Sequence, residues 1–420
     1  MIENPEERKR KRMQEKAKRQ AAQRKLIIRL AIAAAVVIVC GIVILAIALG
    51  AGAKNKPTPT EPPVSAQVSQ PETPQANTSV IHFAATGDLN VTQQVVASGG
   101  ADYDFSKTFM DVAPLLASAD LTTVNLEGDF SGAPYGSNGT APQTMAQALR
   151  HAGVDMIQLA NSYAVNRGVS GLMTTIDSVR QAGMEPVGVF KDEEEFQEKQ
   201  GFSLFEVQGI RIAVVSFTKG MARSTGLPPG NEDCVNTLYS DYSSTYQNID
   251  KEKIEKIMKA VEKQEPDITI ALLHWGSEWN DSISKSQESI CELLQEYGTD
   301  AIIGTHPHYL HKIDYNSENG TLVAYSLGDF IGDASESGTE YSIILDIEIT
   351  KDNTTGEASI TGYSYTPIFT VTEKDKPVRV VRIHEAIAAY ESGYMDAVST
   401  ETYEAMKYAL TRIEQRIAGN

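Results

Sequence analysis

Two histidines separated by one residue, His306 and His308 in Gly-Thr-His-Pro-His-Tyr-Leu-His (304–311), can converge on one cation through neutral imidazole nitrogens. Pro307 fixes φ between them, so the pair has little freedom left to lose on being ordered. Oxygen donors stand elsewhere: Asp88 after Gly87, and Asn125 with Glu127 in Asn-Leu-Glu-Gly. His274 and Glu278 belong to His-Trp-Gly-Ser-Glu-Trp. A mixture of carboxylate and imidazole suits divalent manganese, zinc or iron. Two such ions would clamp a phosphate oxygen and generate hydroxide as a nucleophile. Taken singly, each residue also has an ordinary role. The histidine pair could cap a sheet through hydrogen bonds, Asp88 could cap a helix, Glu127 could be a solvated strand-end acid, and His274 a satisfied core histidine.

These residues share a position in the local pattern. Short apolar runs precede them: Val-Ile-His-Phe-Ala-Ala-Thr (80–86) before Gly87-Asp88, Leu-Thr-Thr-Val before Asn125, Ile-Thr-Ile-Ala-Leu-Leu before His274, and Ala-Ile-Ile before Gly304. Such runs read as buried strands, so the polar residues fall at strand ends. Further strands are expected in 154–162, 185–190, 321–330 and 340–349, and a hairpin in 202–217 with Gly209 at its turn. Helical spacing marks 105–119, the residues before Gly153, and 169–182. It also marks the acidic stretch 191–199, then 249–264, 285–297 and 382–418. Residues 219–248 have no period and read as a long loop or insertion. Strand–helix alternation with a late run of strands predicts an α/β layered domain with mixed sheets. In open α/β sheets the strand ends are where sites are built.

The charge is unevenly spread. The chain carries a net −18, whereas residues 1–29 hold 11 Lys and Arg against 4 acids. The acidic remainder argues against nucleic acid as a partner. Leu30–Ala53 is an uncharged apolar run, at about 36 Å as a helix long enough for a membrane core of about 30 Å. The basic residues before it predict a cytoplasmic N-terminus. The length of the run favours an uncleaved anchor over a signal peptide. Residues 54–79, rich in Pro, Thr, Ser and Gln, read as an extended tether. Outside the membrane Cys234 and Cys291 could pair, but two buried free thiols are the expectation.

Gly87-Asp88, Asn-Leu-Glu-Gly (125–128), Leu-Ala-Asn (159–161), His-Trp-Gly-Ser-Glu-Trp (274–279), Gly-Thr-His-Pro-His (304–308) and Tyr-Ser-Leu-Gly-Asp-Phe (325–330) occur in one order. Over roughly residues 80–335 this resembles the CapA family of poly-γ-glutamate capsule synthesis proteins. The resemblance implies a layered α-β-β-α fold like that of calcineurin-like metallophosphoesterases. It implies Asp88, Asn125, Glu127, His274, His306 and His308 as metal ligands, with Asn161, Tyr163 and Glu278 as candidate catalytic residues.

The family usually reads Leu-Ala-Asn-Asn-His-x-x-Asp, and here Ser162, Tyr163 and Asn166 replace its second asparagine, its histidine and its aspartate. Asp329 stands where asparagine is usual, and His311 where glutamine often is. Tyrosine, with an ordinary pKa near 10, is a poor proton shuttle at neutral pH. The departures weigh against a full two-metal hydrolase and leave one metal, or none. The expectation is therefore a cell-membrane protein with one span and an extracellular domain at 80–375, followed by a helical appendage at 376–420. Its role would lie in synthesis, export or retention of poly-γ-glutamate or a related anionic polymer. Its partners would be that polymer and capsule-synthesis membrane proteins, without nucleic acid. An extracellular phosphoesterase and a metal-free binding scaffold are the competing readings. The acidic composition opposes simple electrostatic capture of polyglutamate unless a metal or a local basic groove mediates it.

Overall fold

The structure, a computed structural model, describes residues 77–221, 226–395 and 397–419. The expected basic segment, membrane span and nearly all of the tether lie outside the described residues. Among the described residues no helix is long and apolar enough to cross a membrane.

Two sheets carry the molecule. The first has strands β1 (Thr78–Asn90), β2 (Leu121–Glu127), β3 (Met156–Gln158) and β4 (Glu185–Val187) side by side and parallel. On the far side of β1 it continues antiparallel through β12 (Tyr341–Asp352), β13 (Ala358–Val371) and β14 (Arg379–Arg382). The second sheet runs β5 (Phe202–Val207), β6 (Ile210–Thr218), β7 (Ile268–His274), β8 (Ala301–Thr305), β10 (Thr321–Ala324) and β9 (Ile313–Asn316), with β6, β7, β8 and β10 parallel. A short β11 (Asp329–Ile331) pairs with the end of β1. The hairpin between β5 and β6 turns on Gln208 and Gly209, both left-handed, which lets a two-residue turn match the strand twist.

Period-two patterning explains the layers. Along β6, Ile210, Ile212 and Val214 face the first sheet, while Ala213, Val215 and Phe217 face helices α3 (Lys251–Lys263) and α4 (Lys285–Glu296). Ile254, Ile257, Met258 and Val261 form the apolar stripe of α3, and Asp250 caps its start. On the opposite surface α1 (Gln143–His151) and α2 (Gly168–Gln181) bury Met145, Leu149, Leu172 and Ile176 against the first sheet. Helix, sheet, sheet and helix thus stack in the expected four layers. Cys234 and Cys291 are buried free thiols.

Several boundaries differ from the sequence reading. β1 begins at Thr78, inside the stretch expected to be tether, because Thr78 and Ser79 pair with Asp352 and Lys351. The helical stretch 105–119 resolves into two short helices, Ser106–Phe109 and Ala113–Leu116. The segment 376–420 is not an appendage. It contributes strand β14, and helices α5 (Ile383–Glu391) and α6 (Thr400–Ile417) place Ile383, Met406, Ala409 and Ile413 in the core between the sheets. Its amphipathic spacing was visible, but which surface it covers depends on long-range strand pairing.

Glu373 anchors α6. Its carboxylate accepts from the backbone N–H of Ser399 and the hydroxyl of Thr402, and it pairs with Lys376. Partial burial opposes its charge but is outweighed by these partners, and the carboxyl is brought down to about 2. A depressed folded-state pKa gives stability that is complete above the ordinary value of 4.5 and is lost as pH falls toward 2. Thermal melts should therefore show Glu373→Gln less stable than wild type at neutral pH, with the gap closing between about pH 4.5 and 2. A gap that does not change with pH would contradict this role.

Candidate metal centre

The parallel strands of both sheets end at one edge, and the polar residues gather there. Asp88 and Asn125 are register partners on β1 and β2, and His274 pairs with Thr305 at the ends of β7 and β8. Glycine makes the approach possible. A Cβ on Gly87 would lie 1.8 Å from the carbonyl oxygen of Gly328, and one on Gly304 would lie 2.1 Å from that of Tyr325. Side chains there would push the strand ends apart. His306 and His308 adopt φ of 94° and 63°, left-handed values that cost of order 1–3 kcal/mol each and persist only where the surroundings over-determine them. Part of that constraint comes from α6, where Arg416 donates to the carbonyl of Leu310 at 3.2 Å and lies over the Tyr309 ring.

At the centre lies Asp88, completely buried. The Nδ2 of Asn125 donates to Asp88 Oδ1 and, at 3.0 Å, to Glu127 Oε1. Asn161 Nδ2 donates to Asn125 Oδ1 at 3.0 Å and to the carbonyl of Leu126 at 2.6 Å, which fixes the Asn125 amide. The backbone N–H of His306 donates to Asp88 Oδ2 at 2.9 Å. His274 Nδ1 lies 3.0 Å from Glu127 Oε1, out of line for a hydrogen bond. The His274 and His306 rings are 4.2 Å apart at their centroids. His308 Nδ1 donates to Asp329 Oδ1 at 2.7 Å and lies 3.7 Å from Asp88 Oδ2. Two groups of potential ligands result: Asp88, Glu127 and His274, and Asp88, His308 and Asp329. Asp88 belongs to both.

The electrostatics favour a cation. Burial raises the carboxyls of Asp88, Glu127 and Asp329, Glu127 to about 7, and Asp88 is raised further by the charge of Glu127. Among the described residues no lysine or arginine pairs with any of the three. For His308, burial opposes the proton, but the Asp329 hydrogen bond and the charges of Asp329, Asp88 and Glu127 win and raise it to about 10. Burial holds His274 and His306 well below the ordinary imidazole value, so both are neutral and able to ligate. Nδ1 of His306 is buried without a hydrogen-bond partner. Hard carboxylate oxygens beside neutral imidazoles fit a divalent cation.

Not every expected residue reaches this centre. Asn161 is buried and acts through Asn125. Tyr163 packs its ring against Gly139 in the connection between β2 and α1, and its backbone N–H donates to Asn161 Oδ1. Glu278 is exposed at the rim. Asn166 donates to Asp129 Oδ2 at 2.8 Å and to the carbonyl of Asn138. The sequence reading missed two features. Asp329 stands in the ligand group, and its place after Gly328 at a strand end was the available signal. Ser162 also has a specific effect. Its backbone N–H donates to His274 Nε2 at 3.1 Å and its Oγ lies 2.9 Å from the same atom, so it holds the ring at the nitrogen opposite the one that faces Glu127.

The bacterial capsule synthesis protein family PGA_cap matches residues 82–334. Capsule biosynthesis protein CapA of Bacillus anthracis is 26% identical over 274 residues, covering 63% of this chain and 61% of that protein. PGA biosynthesis protein CapA of Bacillus subtilis is 24% identical, covering 69% of this chain and 74% of its own length. The chain thus spans less than two thirds of the first of these relatives. Among solved structures, the calcineurin-like phosphoesterase YfkN of Bacillus subtilis aligns at 16% identity with a TM-score of 0.45, over 80% of this chain and 97% of that one.

Because Asp88 is common to both ligand groups, its loss should be felt most. Asp88→Asn should abolish manganese or zinc binding in metal analysis of the purified chain. Glu127→Gln and Asp329→Asn should each weaken it by at least the roughly 10–100-fold that losing an outer-shell partner costs. An Asp88→Asn protein with wild-type metal content would rule the centre out.

Proposed function

The chain belongs to the bacterial capsule synthesis protein family, and from that premise we propose that it assists assembly of poly-γ-glutamate or a related anionic envelope polymer at a metal-dependent centre. The observation that carries this reading is the buried Asp88–Glu127–His274 group sharing Asp88 with His308 and Asp329. Attachment through residues 30–53, with the N-terminus cytoplasmic and the remainder outside the cell, is part of the proposal. It rests on the apolar run and the basic residues before it. Its further partners would be membrane proteins of capsule synthesis.

A divalent cation held by Asp88, Glu127 and His274 would supply positive charge for a carboxylate or phosphate oxygen. The chain's own residues set the rest. Asn125 holds the Asp88 and Glu127 carboxylates in fixed relation, Asn161 fixes Asn125, and the His306 N–H aims Asp88. Before a cation binds, the charges of Asp329, Asp88 and Glu127 keep His308 protonated, and it balances part of their negative charge.

A phosphoesterase reading draws on the same two ligand groups. Against rapid hydrolysis stands the 161–166 segment: Ser162 engages His274, and Tyr163 lies against Gly139 where a proton-transfer group would be needed. A well-placed general acid or base contributes about 10²–10⁴-fold, so its loss leaves slow turnover at best.

Expression in a capsule-forming bacterium lacking its own homologue tests the principal reading. Wild type should restore cell-associated polymer and Asp88→Asn should not. Equal restoration by both would leave only the metal-free scaffold. Protease added to wall-stripped cells should remove the domain after residue 53, and its full protection would overturn the topology. With manganese supplied, the wild-type chain should hydrolyse an aryl phosphodiester poorly. The triple change Ser162→Asn, Tyr163→His and Asn166→Asp should raise metal occupancy and turnover together. Fast wild-type hydrolysis that Tyr163→Phe leaves intact would favour the phosphoesterase.

A further inference from the structure

One cation stands beside the centre without taking part in it. Lys219 follows Thr218 at the end of β6, and its backbone N–H donates to the carbonyl of His274 at 2.7 Å. Its side chain is half-buried. The Nζ donates to the carbonyl of Gly276 at 2.6 Å and lies 5.0 Å from the centroid of the Tyr246 ring. Neither contact neutralises it, and among the described residues no carboxylate pairs with it. Burial lowers its pKa, while the charge of Glu278 works the other way. Its field reaches inward, since its charge lowers both His274 and His306.

Lys219 lines a cavity of about 190 Å³ together with Ser162, Tyr246, Ser277, Glu278 and His306. At roughly 30 Å³ per liquid water this holds the equivalent of about six waters, enough for one small charged group but not for a polymer backbone. His306, a member of the buried centre, forms part of the wall, and its Nδ1 has no hydrogen-bond partner. The cavity therefore brings a positive charge and the wall of a buried imidazole together, with Ser162 and Ser277 also in its lining. Glu278, exposed at the rim, is the one acid in the lining, and it competes for Lys219 from the solvent side.

We propose that this cavity is an oxyanion subsite in which Lys219 binds the carboxylate or phosphate of an incoming ligand beside His306. The proposal deepens the functional reading above and rests on it for the ligand's connection to the centre. It also explains how an acidic protein could engage an acidic polymer: one side group at a time, at a single built cation, with no extended basic surface.

The test is titration calorimetry on the full chain, with inorganic phosphate and glutarate as alternative probes and glutaramide as the uncharged control. It is run once in chelator and once with manganese. Wild type should bind at least one oxyanion and not glutaramide. Lys219→Met should weaken that binding by about tenfold or more, as expected when one partner of a charge-assisted contact is truncated. Lys219→Arg should retain it within a few-fold, and Glu278→Gln should strengthen it. Manganese binding by Lys219→Met should be no weaker than by wild type, since removing a neighbouring positive charge cannot repel the ion, whereas general damage would weaken both. Preference for glutarate would mark a carboxylate site and preference for phosphate a phosphoryl site. If wild type binds neither probe, or Lys219→Met binds as wild type does, the subsite is overturned and Lys219 only braces Gly276. Oxyanion binding that depends on Lys219 in a chain that takes no manganese would instead retain the subsite and discard the metal centre. Should Lys219→Met fail to fold, Glu278→Gln decides the matter: stronger oxyanion binding than wild type supports the subsite, and unchanged binding overturns it.

Discussion

Three carboxylates buried within one small volume without a lysine or arginine among them are the constraint on which this molecule turns. Taking one carboxylate from water into a protein interior costs several kcal/mol, and like charges nearby raise that cost. Asp88, Glu127 and Asp329 bear it at the meeting edge of two sheets. The protonated His308 offsets part of the charge, and the Asn125 amide satisfies two of the oxygens. What is left over is a demand for positive charge that the folded chain does not itself meet. A cluster of this kind costs the fold stability, and its oxygen and imidazole donors are of the kind that suits a divalent cation.

The architecture follows from that demand. Parallel strands deliver their C-terminal ends to a common edge, and glycines at 87 and 304 allow two backbones closer than any side chain would. The two left-handed histidines are held by a loop that Arg416 braces from the last helix. Residues nearly the whole chain apart thus maintain the position of a few oxygen and nitrogen atoms. That coupling explains why the C-terminal segment, which looked separable, is built into the central core.

Much of this was legible in the sequence because strand-end polarity is a local pattern. Asp88, Glu127, His274 and His306 each follow a short apolar run, and the order of their motifs carried the family resemblance. The remainder depends on distance in space. The membership of Asp329 required knowing that β11 lies against the end of β1. Ser162 read as a lost ligand, whereas in three dimensions it also engages the nitrogen of His274. Lys219 carried no signal, since a lysine at the start of an aperiodic loop resembles any solvated lysine until Tyr246 and His306 are seen around it. Cross-sheet packing by α6 was equally hidden, because amphipathic spacing identifies a buried face without identifying what buries it.

The buried donors around the Asp88 carboxylate suit a divalent cation. Anomalous diffraction from crystals of the protein soaked in manganese reads this most directly. A peak is expected at ligand-bond distance, about 2.0–2.2 Å, from an Asp88 carboxylate oxygen, with Glu127 and His274 or His308 and Asp329 around it. Crystals that take manganese only at surface carboxylates, leaving the space beside Asp88 without a peak, would contradict it.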